Sequence, residues 1–324
     1  MSAGPILCAP GKELPASGQW PIPRTGTVVA LSDTSVLFGN QLNNRLDVLD
    51  LCTGKTRWSW QLPSAPGISV FDGARRLLYV TLAGATSIAK VSLDSPRAQL
   101  IDLPAPAISL ALGNGQIVFA RLDDGSPFDA PISIIDGASR AVLATRRVKL
   151  DEFIAFHRAK NRLFSGSKYG GIKAFEYAAQ TMQFTEAESS PEMGYPCFEL
   201  ALSPDQNHLF FACSNGVQPT PPAQGADFNP ADLASPFGIY TKALSTTAAA
   251  YSPGSTRLFV ETAGGVVEQD VTTRAQLGNR LVAYVAHLSV APSGRLLAAS
   301  GVLHLNDDPA PLSWSVLSTA DCKP

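Results

Sequence analysis

"CFELALSPDQNHLFFAC", residues 197–213, is a pair of apolar runs around a short polar turn, with a cysteine at each outer end. Apolar runs bounded by Ser, Pro, Asp and Asn read as the two strands of a hairpin. The same grammar returns in "VALSDTSVLFGN" (29–40), "SVFDGARRLLYV" (69–80), "LALGNGQIVFAR" (110–121), "IAFHRAKNRLFS" (154–165), "AYSPGSTRLFVE" (250–261) and "SVAPSGRLLAAS" (289–300). Anchored on the first apolar residue after each turn, the copies fall at Val36, Leu77, Ile117, Leu163, Leu209, Leu258 and Leu296, with gaps of 41, 40, 46, 46, 49 and 38. Strand-rich repeats of that length point to propeller blades.

The remainder of each unit supplies two more strands, as in "RLDVLDLCTGK" followed by "TRWSWQLP" (45–63), or "APISIIDGAS" (130–139). The expected fold is therefore all-β: one domain over 1–324, a seven-bladed β-propeller of four-stranded antiparallel blades. A β-helix would have shorter rungs, and a β-sandwich pair would not keep so regular a spacing. The start, "CAPGKELPASGQWPIP" (8–23), parallels "CTGKTRWSWQLP" (52–63), while the end, "LSWSVLSTADCKP" (312–324), stops at a third strand. The two termini are expected to share the last blade, which removes two exposed sheet edges. In the fifth unit a Pro-rich stretch around 217–236 either replaces a strand or stands as a loop.

Composition narrows the partners. Charged residues make up 16% of the chain, below the usual ~25%, and net charge is −2. Neither favours a nucleic-acid backbone or an anionic membrane surface. No apolar run reaches the ~20 residues that cross a bilayer as a helix, and no signal peptide is legible in "MSAGPILCAP".

Of five cysteines, Cys197 and Cys213 lie symmetrically about Asp205. Opposed residues in an antiparallel hairpin have Cα atoms ~4.5–5.5 Å apart, within disulfide reach. Cys8 and Cys322 fall at the shared blade, where a clasp closing so long a loop is worth on the order of 4–5 kcal/mol. Both pairings favour an oxidising compartment, periplasmic or extracellular. Cys52 is left as a small residue at a strand end.

The repeats "LALSPDQNHLFFACSNG" (200–216) and "AYSPGSTRLFVETAGGVVEQDVTT" (250–273) resemble the SPDG-turn, YVTN-type repeats of bacterial propellers. "LDVLDLCTGKTRWSWQLP" (46–63) is similar to the D-x-x-T-G-K-x-x-W run of quinoprotein-type repeats. The resemblance lies in repeat grammar over most of the chain, and it implies a fold more than an activity. Such propellers include binding proteins, assembly factors, lactonases and the heavy chains of amine dehydrogenases, which also carry cysteines across a hairpin. No quinone-forming residue is identifiable, so the cofactor stays unassigned.

Chemistry is sparse. Long connections on one propeller face are where binding concentrates, and three units elaborate that face. The third carries Asp123, Asp124 and Asp129; the fifth carries 217–236 with Phe228, an apolar anchor of the kind a partner buries; the seventh carries His304, Asn306, Asp307 and Asp308. The carboxylates match no EF-hand spacing; Ca²⁺ ligation and turn capping both remain open. First strands line a propeller's axis, so Glu152, His157, Glu199 and His287 are candidates for a polar axial site. His208, directly after its turn, is expected to be exposed. No G-x-S-x-G elbow occurs. The expected function is a non-catalytic binding or scaffold propeller that offers its long-loop face to a protein partner. The alternative is an enzyme, either a lactonase-like metallohydrolase or a subunit of an amine-oxidising redox complex.

Overall fold

The computed structural model describes residues 7–8, 12–13, 17–21, 27–95, 97–126, 129–167, 171–192, 197–213, 225–239, 248–262, 265–280, 287–300 and 313–318. Six four-stranded antiparallel sheets follow one another along the chain. The first strands of these blades, A to F, are Val28–Ser32, Pro66–Asp72, Ala107–Leu112, Phe153–His157, Cys197–Leu202 and Ala249–Tyr251. Each expected anchor is the first or second residue of a second strand.

The expectation of a seven-bladed ring is corrected here: six blades are cut from continuous sequence. The remaining four-stranded sheet is composite. His287–Val290, Leu296–Ser300 and Ser313–Ser318 are completed by Ser17–Pro21, with Trp20 opposite Trp314. First strands pack side by side from blade B through blade F to the composite sheet and on to blade A, and blade A meets blade B through its second strand, so the sheets form a closed ring.

Burial grades outward from second strand to fourth. Second strands such as Leu77–Leu82 and Leu209–Cys213 are buried on both faces, because blades stack against each side of them. That is why they read as unbroken apolar runs rather than alternating ones. Fourth strands form the rim: along Lys55–Gln61 only Trp60 is buried. Its indole Nε1–H donates to Ser95 O in blade B (2.7 Å), while Trp58 stands 50% exposed.

Three hairpins share one turn. In "SPDQ", "SPGS" and "APSG" the fourth residue, Gln206, Ser255 or Gly294, has φ of 63°, 56° and 74°. Its N–H donates to the carbonyl of Ser203, Ser252 or Ala291 at 2.8–2.9 Å. The Pro presets the turn's second position, and glycine is the residue that adopts the left-handed fourth without steric cost.

Blade E resolves the ambiguity of the fifth unit. Its third strand is Ala226–Asn229 and its fourth is Asp232–Ile239. Part of the stretch expected as a binding loop is therefore sheet. Phe228 is 1% exposed and packs in a core with Leu209, Phe211 and Leu233. As a partner anchor it is corrected: it is already spent on the blade's own interior.

Cys197 and Cys213 are disulfide-bonded across the first hairpin of blade E, with Cα atoms 3.9 Å apart. Cys52 is also disulfide-bonded, which corrects its reading as an unpaired residue. The expected Cys8–Cys322 pair lies outside the described side chains.

Candidate functional site

The first strands enclose an axial channel of about 610 Å³. Its wall is mostly apolar, with Ile68, Val70, Leu110, Phe153, Phe198 and Leu288 contributing side chains that are buried or half-buried. Polar groups enter from Thr27, Ser109, Glu199, Ser203, Gln206 and His287.

Several polar side chains near the axis tie one blade to the next. Ser109 Oγ accepts the Ile154 N–H (3.2 Å), Ser289 Oγ accepts the Ala30 N–H (3.0 Å), and Thr27 Oγ1 donates to Gly67 O. Glu199 makes the same kind of link with a longer arm: its Oε2 accepts the Ala249 N–H at 3.0 Å. Hairpin turns are joined too. Asn114 Nδ2 donates to Arg158 O (2.9 Å), Gln206 Oε1 accepts the Ala159 N–H (3.2 Å), and Ser255 Oγ accepts the Asp205 N–H (3.0 Å). Bonds between blades restrain the radius of the ring, so the channel is a preset cavity rather than a collapsible one.

Of the four expected axial residues, the structure brings two to the channel. Glu199 pairs with Ala212, three residues past the Leu209 anchor, and His287 pairs with Ser300, four past Leu296. Both thus sit toward the end of the channel from which the second-to-third-strand connections emerge. Burial pushes the Glu199 carboxyl up to about 8, against the stabilising Ala249 N–H, and lowers His287 to about 4. Both are uncharged near neutrality. His157 lies elsewhere: it is 5% exposed at the hairpin-turn end, where its Nδ1 accepts the Lys160 N–H (3.2 Å). Burial holds its pKa down, helped by the Lys160 cation. Glu152 is exposed, outside the channel lining.

On the long-connection face the aspartates of blade C are engaged locally. Asp123 Oδ1 accepts the Gly125 N–H and Asp124 Oδ1 the Ser126 N–H, both at 3.1 Å. Asp124 also pairs with Arg147, whose other terminal nitrogen donates to Asp129 O at 2.7 Å. The Ser126 N–H, followed by Arg147, holds the Asp124 carboxyl below its usual range. His304, Asn306, Asp307 and Asp308 lie outside the described residues. Among the described residues no group of three or more His, Cys, Asp and Glu is arranged to hold a metal ion.

A second polar cluster was not legible in the sequence. His208 is not exposed but 22% accessible, its Nδ1 2.8 Å from Asp227 Oδ2, and Tyr251 OH donates to Asp227 Oδ1 at 3.2 Å. Asp227 is 1% exposed, and burial raises its pKa against the pull of His208 and Tyr251. The cluster ties blade E to the first strand of blade F.

No protein-family model matches this sequence, and no curated protein matches it. Solved structures do. The chain is similar to hydrazine synthase of Kuenenia stuttgartiensis, at 12% identity over 92% of this chain and 96% of that one, with a TM-score of 0.67. It is similar to U3-55K at 9% identity over 93% and 98%, with a TM-score of 0.71. The fold is a β-propeller. At these identities the likeness is one of architecture, and the finer YVTN or quinoprotein grouping is not part of it. No helix among the described residues is long and apolar enough to cross a membrane.

Proposed function

We propose that this propeller is a binding or scaffold module that receives a protein partner on its long-connection face. The observation that carries the reading is Leu42, the most exposed large hydrophobic among the described residues at 76%, in the second-to-third-strand turn of blade A. The same face carries the longest connections: twelve residues separate Cys213 from Ala226, and twelve separate Ser300 from Ser313. First-to-second-strand turns on the opposite face are short, as between Ser32 and Ser35. A rigid ring with variable loops at one end separates stability from recognition. The Cys197–Cys213 bond is consistent with an oxidising compartment, and a periplasmic or extracellular setting goes with this reading.

The test compares the two faces. A photoreactive residue replaces Leu42 in one variant and Ala74, on the first hairpin turn of blade B, in another. Irradiation in the native host is expected to give a discrete protein adduct from position 42 and none from position 74. Adducts from both positions, or from 74 alone, reject the assignment of the face; no adduct from 42 rejects the docking reading.

A further inference from the structure

Two polar side chains in the channel have bonding capacity left over. Glu199 uses Oε2 for the Ala249 N–H, and no described group bonds its Oε1. The His287 imidazole has no hydrogen-bond partner among the described residues, although it lines the same cavity. The structural duty of an axial pin is met elsewhere in the ring by serine, at Ser109 and Ser289. A glutamate in that role brings a second oxygen that the pin does not need. Glu199 is half-buried, and its unused Oε1 is open to a ligand that enters the channel.

The surrounding wall says what kind. Phe153, Phe198 and Leu200 are half-buried and line the cavity beside Glu199, leaving apolar and aromatic surface facing the channel. The cavity, at about 610 Å³, lies within the ~300–1,000 Å³ typical of small-molecule sites. Arg158 is the only cationic side chain among the lining residues. It follows the first strand of blade D, at the hairpin-turn end. The Glu199 end therefore has an acceptor, a neutral imidazole and aromatic faces, with no fixed positive charge among its described lining.

We propose that the channel is a binding site for a small organic cation: a primary or secondary ammonium carried on an aromatic or alkyl body. The ammonium donates to Glu199 Oε1 and to an unprotonated His287 nitrogen. Its body lies against Phe153, Phe198 and Leu288, and the two phenyl rings add cation–π attraction. Binding supplies the counter-charge that the buried carboxyl lacks. This inference is independent of the docking reading, since the channel wall and the Leu42 turn share no residue.

Calorimetric titration of the full chain in mildly alkaline buffer tests it with three probes of one shape: 4-phenylbutylamine, 4-phenylbutan-1-ol and 4-phenylbutyrate. The amine is expected to bind saturably, one per chain, and at least about tenfold more tightly than the alcohol, with the acid weakest. Glu199→Gln keeps an acceptor for the Ala249 N–H and should weaken amine binding at least about tenfold while leaving the alcohol unchanged. His287→Phe should weaken the amine by a smaller factor, and it serves as the second variant should Glu199→Gln fail to fold. Equal affinity for amine and alcohol, no saturable amine binding at millimolar concentration, or amine binding that survives both substitutions overturns the proposal.

Discussion

Glu199 and His287 show how a single position can serve structure and still carry an electrostatic cost. A carboxyl whose folded pKa is raised to about 8 from an ordinary 4.5 favours the folded state most when protonated. Its contribution is complete below about pH 4.5 and is lost as pH rises through 8. An imidazole whose folded pKa is lowered to about 4 from 6.5 behaves in the opposite sense. Its contribution is complete above pH 6.5 and is lost as pH falls through 4. The two windows overlap, so the wild-type melting temperature is expected to decline on both flanks of mildly acidic pH. Glu199→Gln should flatten the alkaline flank and His287→Phe the acid flank, each leaving the other in place. Melting curves collected from pH 4 to 9 check this; a variant that shifts both flanks equally would show that the residue acts through packing instead.

At the scale of the element, blade E is where sequence and structure part. Its first two strands are plain in "CFELALSPDQNHLFFAC", where a half-buried first strand and a second strand buried on both faces flank a polar turn. Its third strand, "ADFN", is four residues long and half polar, and its fourth contains Pro236 and Gly238. The pairing slips twice, around Phe228. Proline and glycine within a strand signal bulges and weaken the pattern a reader relies on. The His208–Asp227–Tyr251 cluster was hidden for a related reason: its members lie 19 and 24 residues apart and meet only through sheet register and blade packing. The axial placement of Glu199 and His287, by contrast, follows from strand order alone. The structural role of 225–239 has a direct consequence. A Cβ added at Gly225 would lie 2.0 Å from Phe210 Cζ, so even the entry to this segment is packed tight. Phe228→Ala is expected to cost about 3–5 kcal/mol, and deleting 217–236 should abolish cooperative unfolding. Urea denaturation followed by circular dichroism measures both; a near-native midpoint for the deletion would mean that the segment is a loop after all.

For the whole molecule, the cysteines provide the sharpest test of how the ring is held. Five cysteines, with Cys197 joined to Cys213 and Cys52 also bonded, predict one free thiol. Alkylation of the unfolded, non-reduced chain is expected to label one cysteine, and Cys52 should stay unlabelled. Labelling of Cys52 would restore the expected Cys8–Cys322 clasp. The repeat grammar exposed the ring because every second strand obeys the same burial rule. It exposed the Cys197–Cys213 pair, which a single hairpin brings together, but not the bonding of Cys52, which no local pattern marks.

The composite sheet also bears on how the molecule is made. Ser17–Pro21 leaves the ribosome before all six blades, yet its partner strand, Ser313–Ser318, follows all of them. Blades A to F can each condense as their own four strands emerge, through contacts that are local in sequence. The composite sheet cannot be completed until Ser313–Ser318 has emerged, after all six blades. Until then the nascent chain is an open arc with an unpaired strand at one end, the kind of edge that recruits other chains. Ring closure is thus a single late event, and the interval before it is when this protein is most exposed to association with a second copy of itself.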